Sequence, residues 1–135
     1  MTLKQQPYTG LADQAAMAAL VQANPGDNLH VTDLPYRYSS WAFDDPRNVA
    51  LWVDAAGQLA AWAVLQTPFW ALDYAYRPDA GADIHPRLLA WADGRAREAL
   101  ETSSGRPIWF ANVFAGQRER MHDLEQAGFD SETLQ

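Results

Sequence analysis

The chain has 135 residues, 48% of them hydrophobic, with six Trp, five Tyr, five Phe and no Cys, and a formal net charge of −7. That is enough apolar material for the core of one domain, so a single domain over residues 1–135 is expected. The missing cysteines exclude disulfides, thiolate metal sites and Cys nucleophiles, and the negative charge speaks against a nucleic-acid partner, whose phosphates need clustered cations.

Arg87, Arg95, Arg97, Arg106, Arg118 and Arg120 are flanked by acids and read as solvated surface. The first ten residues carry no apolar leader, and no run approaches the roughly 18 apolar residues that cross a bilayer. A soluble, cytoplasmic protein without membrane contact is the expectation.

In chain order, Pro7 to Thr9 predicts a short edge strand. Ala12 to Ala23 predicts a helix that begins after Thr9 and Gly10 and stops at Asn24-Pro25-Gly26. Asp27 to Pro46 mixes Pro, Asp and aromatics without a period, which predicts a loop with at most one short helix. Val49 to Val53 and Leu59 to Gln66 then read as a hairpin around Asp54-Ala55-Ala56-Gly57-Gln58, and Phe69 to Tyr76 as a third strand of an antiparallel meander.

Apolar residues at Ile84, Leu88, Trp91, Ala92, Ala96, Ala99 and Leu100 follow helical spacing and predict one long amphipathic helix ending near Ser103-Ser104-Gly105. Ile108 to Val113 predicts a further strand, and Gly116 to Ala127 a last helix closed by Gly128. A strand joined through a helix to the next strand of one sheet implies a parallel crossover. The fold class is therefore α+β, with a mixed, mostly antiparallel sheet flanked by helices.

This order resembles the GNAT superfamily of acetyl-CoA-dependent N-acetyltransferases. The likeness is carried by NVALWVDAAGQLAAWAVLQ, LDYAYRP, LLAWADGRA and the LEQAGF ending. In that family a dipeptide such as Arg77-Pro78 closes the fourth strand, and a pair such as Gly128-Phe129 closes the last helix. The resemblance implies a splay between the strands at 69–76 and 108–113 that holds acetyl-CoA. It also implies a Gln/Arg-x-x-Gly-x-Gly/Ala loop at the start of the long helix that holds the pyrophosphate on free backbone N–H groups.

Aligned on Leu88-Leu89, the three loop positions are Ala80, Asp83 and His85, so none matches. Asp83 brings a carboxylate to the phosphate position, where it is expected to cap the helix, and Pro86 removes a donor. The expected loss of phosphate affinity is about 1 to 3 kcal/mol. The general-acid Tyr of many family members falls on Leu124, and the six residues after Phe129 are too few for the family's two terminal strands. The strand at 108–113 is then an edge that a homodimer or a second acetyltransferase-like domain would cover.

Asp73 is the one candidate catalytic base, against a surface acid between Ala71 and Ala75. Tyr74 and Tyr76 are candidate cleft residues, against ordinary core aromatics. His85 is a candidate at the helix start, against an exposed side chain. His30, His85 and His122 are scattered and make no metal site, and Ser39-Ser40 and Ser103-Ser104 lack a nucleophile elbow. The dispersed Trp residues read as core.

The expected function is an acetyltransferase-like domain, catalytically degenerate or incomplete by itself. It would serve as the structural or ligand-sensing half of a dimer or tandem protein, with no acetyl-CoA bound by this chain alone. The alternatives are an active N-acetyltransferase on an amine, with Asp73 as base, and an interaction module using the strand edge.

Overall fold

The computed structural model describes residues 3–24, 41–66, 71–99, 110–111 and 118–129. Along the chain these form β1 (Lys4–Pro7), α1 (Leu11–Ala23), two 3-10 turns (Trp41–Asp44 and Pro46–Asn48), β2 (Val49–Val53), β3 (Leu59–Gln66), β4 (Ala71–Tyr76), α2 (Ile84–Ala99), β5 (Phe110–Ala111) and α3 (Arg118–Gln126). The five strands lie in sequence order in one sheet, antiparallel from β1 to β4 and parallel between β4 and β5. This is the mixed α+β sheet that the sequence predicts. Of the expected strand at 108–113, Phe110–Ala111 is formed as β5 and the rest lies outside the described residues, as do most of the expected loop at 27–46, His30, both serine pairs, Trp70, Arg106 and Trp109.

Two local expectations are corrected. The edge strand runs over Lys4–Pro7 rather than 7–9, because it is made by backbone pairing with β2 (Lys4 opposite Val53, Pro7 opposite Ala50) and not by an apolar pattern. Its four residues are all exposed. Helix α1 begins at Leu11, with Gly10 as its N-cap, and the Asp13 carboxylate reaches back to accept from the Thr9 amide (2.6 Å) and hydroxyl (3.0 Å). Those bonds hold the chain entering the helix and place a negative charge at its positive end.

Strand alternation decides what each face of the sheet carries. Val49, Leu51, Trp62, Val64 and Ala75 pack with Met17, Leu20 and Val21 of α1. The Trp62 indole N–H donates to the Met17 carbonyl at 3.2 Å, pinning α1 across β3. The opposite face carries Ala50, Trp52, Ala61, Ala63, Leu72 and Tyr74, against Ile84, Leu88, Leu89 and Ala92 of α2 and Leu124 of α3. Three alanines on that face let α2 lie close to β2 and β3. Each fully buried Leu or Ile of the helix stabilises the contact by about 1.5–3 kcal/mol.

The hairpin turn is built on Asp54. Its carboxylate accepts from the Ala56 and Gln58 amides (2.9 and 3.0 Å) and from Arg77 (3.1 Å), so one side chain joins the β2–β3 turn to the end of β4. Arg77 also donates to Asp79 at 2.9 Å, which shapes the exit toward α2. Asp54 is partly buried and Asp79 exposed, so the Asp54 bond is the stronger of the two fastenings.

Candidate functional site

Tyr74 and Tyr76, two residues apart on β4, point to the α2–α3 face, with rings stacked at a centroid distance of 6.3 Å and an interplanar angle of 5°. His85, in the first turn of α2, lies against both rings at 5.1 and 5.7 Å. Its Nε2 is 3.0 Å from the Tyr74 hydroxyl and its Nδ1 is 2.9 Å from Oδ2 of Asp123 on α3. One helical turn earlier on α3, the Arg120 guanidinium stands 4.2 Å from the Tyr76 ring centroid and 5.2 Å from that of Tyr74. Five side chains from three elements thus converge on one buried polar cluster.

Burial sets the protonation states. His85 is 2% exposed, and its pKa is lowered mainly by that burial; hydrogen bonding and attraction from Asp123 oppose the shift, and the Arg120 cation adds to it. The imidazole is therefore neutral near pH 7. Burial pushes the Tyr74 hydroxyl up to about 12 and raises that of Tyr76, with Arg120 pulling both the other way. Both phenols keep their protons at neutral pH. A carboxylate beside Nδ1 favours the tautomer with the proton there, leaving Nε2 to accept from Tyr74.

An Asp–His–Tyr line of this kind can move a proton. Tyr74, however, is only 4% exposed and packs within the core cluster. The line runs between elements of the fold, so its direct role is to join them.

The start of α2 has a different character. The Asp83 carbonyl accepts the first helical bond, from Arg87 at 3.0 Å, which makes Asp83 the N-cap. The expected capping bonds from its side chain are not formed: among the described residues no helix amide donates to that carboxylate. It is exposed and lies over Gly81, where a side-chain carbon would meet its Oδ1 at 3.1 Å. Gly81 has φ +102°, a conformation suited to glycine. Of the first-turn positions, Ile84 has given its N–H to the Gly81 carbonyl at 3.3 Å and Pro86 has none, so the His85 amide is left. Ala80 is buried in the core at 1% exposure. Among the described residues the Gly81, Ala82 and Asp83 amides make no hydrogen bond either, so several donors stand beside the free Asp83 carboxylate.

The candidate residues therefore separate. Tyr74, Tyr76 and His85 are brought together, Ala80 and Asp83 flank them on the loop, and Asp73 is on the other face. Asp73 is 3% exposed, faces the α1 side and accepts from the Gln66 amide at 3.0 Å. The surface reading of Asp73 is corrected, since α1 and its neighbours cover that face. His85 is likewise buried rather than exposed.

The reading of all the arginines as solvated is corrected at two positions. Arg120 covers the tyrosines, and Arg95 is buried against Asn48 (2.7 Å) and Asp45 (3.3 Å), tying α2 to the turn before β2. Sequence reasoning missed Arg120 and Asp123. The available signal was their i, i+3 spacing, with Leu124 adjacent, which puts all three toward the core side of α3. Leu124, where the resemblance placed a general acid in other chains, is 7% exposed and part of the core. Among the described residues no group of three or more His, Asp or Glu side chains could hold a metal ion, and no helix is long and apolar enough to cross a membrane.

No protein-family model and no curated protein matches the chain. Among solved structures, the crystal structure of a GCN5-related N-acetyltransferase from Sphaerobacter thermophilus superposes with a TM-score of 0.70 over 95% of this chain, at 16% identity. The fold is that of a GCN5-related N-acetyltransferase. At this identity the likeness shows fold alone, and this chain spans 43% of the Sphaerobacter chain. β4 and β5 pair in parallel at Ala71–Phe110 and Leu72–Ala111, which uses both described residues of β5.

Proposed function

We propose that this acetyltransferase-like domain has kept the scaffold of its fold while giving up the diphosphate site, and that it works as a structural or ligand-sensing half of a dimer or of a tandem protein. The observation that carries this reading is the start of α2: an exposed Asp83 carboxylate lies over Gly81, and Pro86 has no amide proton to offer. A diphosphate brought there would meet the like charge of Asp83, where a phosphate-binding helix start offers donors and a positive end with no carboxylate among them.

The buried state of Leu124 supports the reading, because an aliphatic side chain cannot protonate a leaving thiolate. The short span of the match supports the tandem arrangement: more than half of the Sphaerobacter chain lies outside it, leaving room there for a second unit.

The test is calorimetric titration of CoA and acetyl-CoA into the protein and into Asp83→Gly, each at low and moderate salt. The expected result is no measurable heat of binding for the wild type and recovered, salt-sensitive binding for the variant. Micromolar binding by the wild type, or acetyl transfer to any amine, would overturn the proposal.

A further inference from the structure

The manner in which α3 is attached points to a second property, independent of how the domain treats CoA. The helix has nine residues and buries only Arg120 and Leu124. Leu124, with Phe129 beyond the helix end, supplies its apolar contact. The rest of its attachment is the polar cluster: Arg120 over the two tyrosine rings, and Asp123 on the His85 imidazole. A helix this short has little stability of its own and depends on such contacts.

We propose that His85 is a proton-controlled latch: its neutral ring ties α3 to α2 and β4, and its protonation releases α3 and uncovers Tyr74 and Tyr76.

The argument rests on what each nitrogen does. In the neutral ring Nδ1–H donates to Asp123 and Nε2 accepts from Tyr74, so both ring nitrogens and the phenol proton are satisfied. A second proton on Nε2 removes that acceptor. The buried Tyr74 O–H must then turn away from its partner, and a new cation forms beside Arg120, which faces the same two rings.

The groups facing the ring are Tyr74 and Tyr76 from β4 and Arg120 and Asp123 from α3, with Glu119 near Tyr76. Asp83 and Arg87 are its neighbours on its own element. Asp123 alone favours the charged ring, and burial together with Arg120 opposes it. In the released state His85 is in water and binds a proton at its ordinary affinity. The docked state is therefore fully favoured above about pH 6.5 and loses ground as pH falls below it, by up to about tenfold for each unit until the lowered value is reached.

The experiment is amide hydrogen exchange, expressed as protection factors, between about pH 7.5 and about pH 5.5, a range that brackets the ordinary histidine value. It is run on the wild type, His85→Gln and His122→Gln, with the His85 ring followed by NMR in the wild type. Protection in α3 should fall with decreasing pH while α1 holds, and His122→Gln, altered at an exposed position, should behave as the wild type. His85→Gln should show weak α3 protection that no longer follows pH. Should His85→Gln fail to fold, the wild type decides alone: loss of α3 protection must track His85 protonation. Parallel loss of protection in α1 and α3, superimposable wild-type and His85→Gln profiles, or a His85 titration with no change in α3 would each overturn the latch.

Discussion

The two faces of the sheet are built from the same strands and fastened in opposite ways. On the α1 side, Met17, Leu20, Val21, Trp62 and Val64 make a mainly apolar contact, to which the Trp62–Met17 bond and the Asp73–Gln66 pair add polar ties. On the other side, α2 rests on alanines and leucines, while the α3 end is closed by imidazole, phenol, guanidinium and carboxylate. Apolar area is insensitive to pH and tolerant of small displacements; a satisfied polar network is neither, since every member depends on its partners. The α1 face should therefore set global stability, and the α3 face should set where the molecule opens first.

That contrast can be broken at graded cost. Trp62→Ala empties the centre of the α1 face and should destabilise the protein by about 3–5 kcal/mol in urea unfolding; a loss below 1 kcal/mol would mean that α1 contributes little. Asp73→Ala deprives the buried Gln66 amide of an acceptor and should cost about 1–3 kcal/mol at any pH near neutral.

Tyr74→Phe removes one hydroxyl from the cluster and should cost about 1–1.5 kcal/mol. Its effect should appear as weaker hydrogen-exchange protection in α3 before any change in α1. Gly128→Ala should cost about 1 kcal/mol, again felt in α3. Gly128 sits at φ +97° and donates to the Glu125 carbonyl, Phe129 donates to that of Leu124, and a methyl group strains this helix ending. Arg97→Ala removes an exposed pair with Asp93 and should leave the urea unfolding midpoint unchanged.

What the sequence made legible follows from the range of the interactions. The limits of β2 and β3 and the start of α2 could be read because local periodicity and the Asp54–Gln58 turn determine them. The last helix was read from its Gly128 ending, and within the described residues it runs over Arg118–Gln126. β1 was displaced because exposed Lys4, Gln5 and Gln6 carry no apolar signal and are held through the backbone of β2.

At the site, alternation along β4 correctly separates Asp73 from Tyr74 and Tyr76, yet Ala71 and Ala75 beside Asp73 look like surface until α1 is laid over them. His85 and Asp123 are 38 residues apart, and Arg120 sits among charged neighbours in the run RERMH, of the kind that solvated helices also show. Contacts of that span have no local signature, so the cluster appears only when β4, α2 and α3 are assembled.

The sequential order of the sheet bears on how the molecule is made. β3 and β4 each pair with the strand just before them in the chain, so that part of the meander can zip together by closing short loops, at small entropic cost. β5 pairs with β4 in parallel and must wait for all of α2 to be laid across the alanines of the sheet. The five-membered polar cluster needs α3 as well, so it is completed after the sheet. A nascent or cut chain that stops short of α3 would retain its apolar face on α1 and present two stacked tyrosines and an unsatisfied histidine to whatever binds aromatic surface.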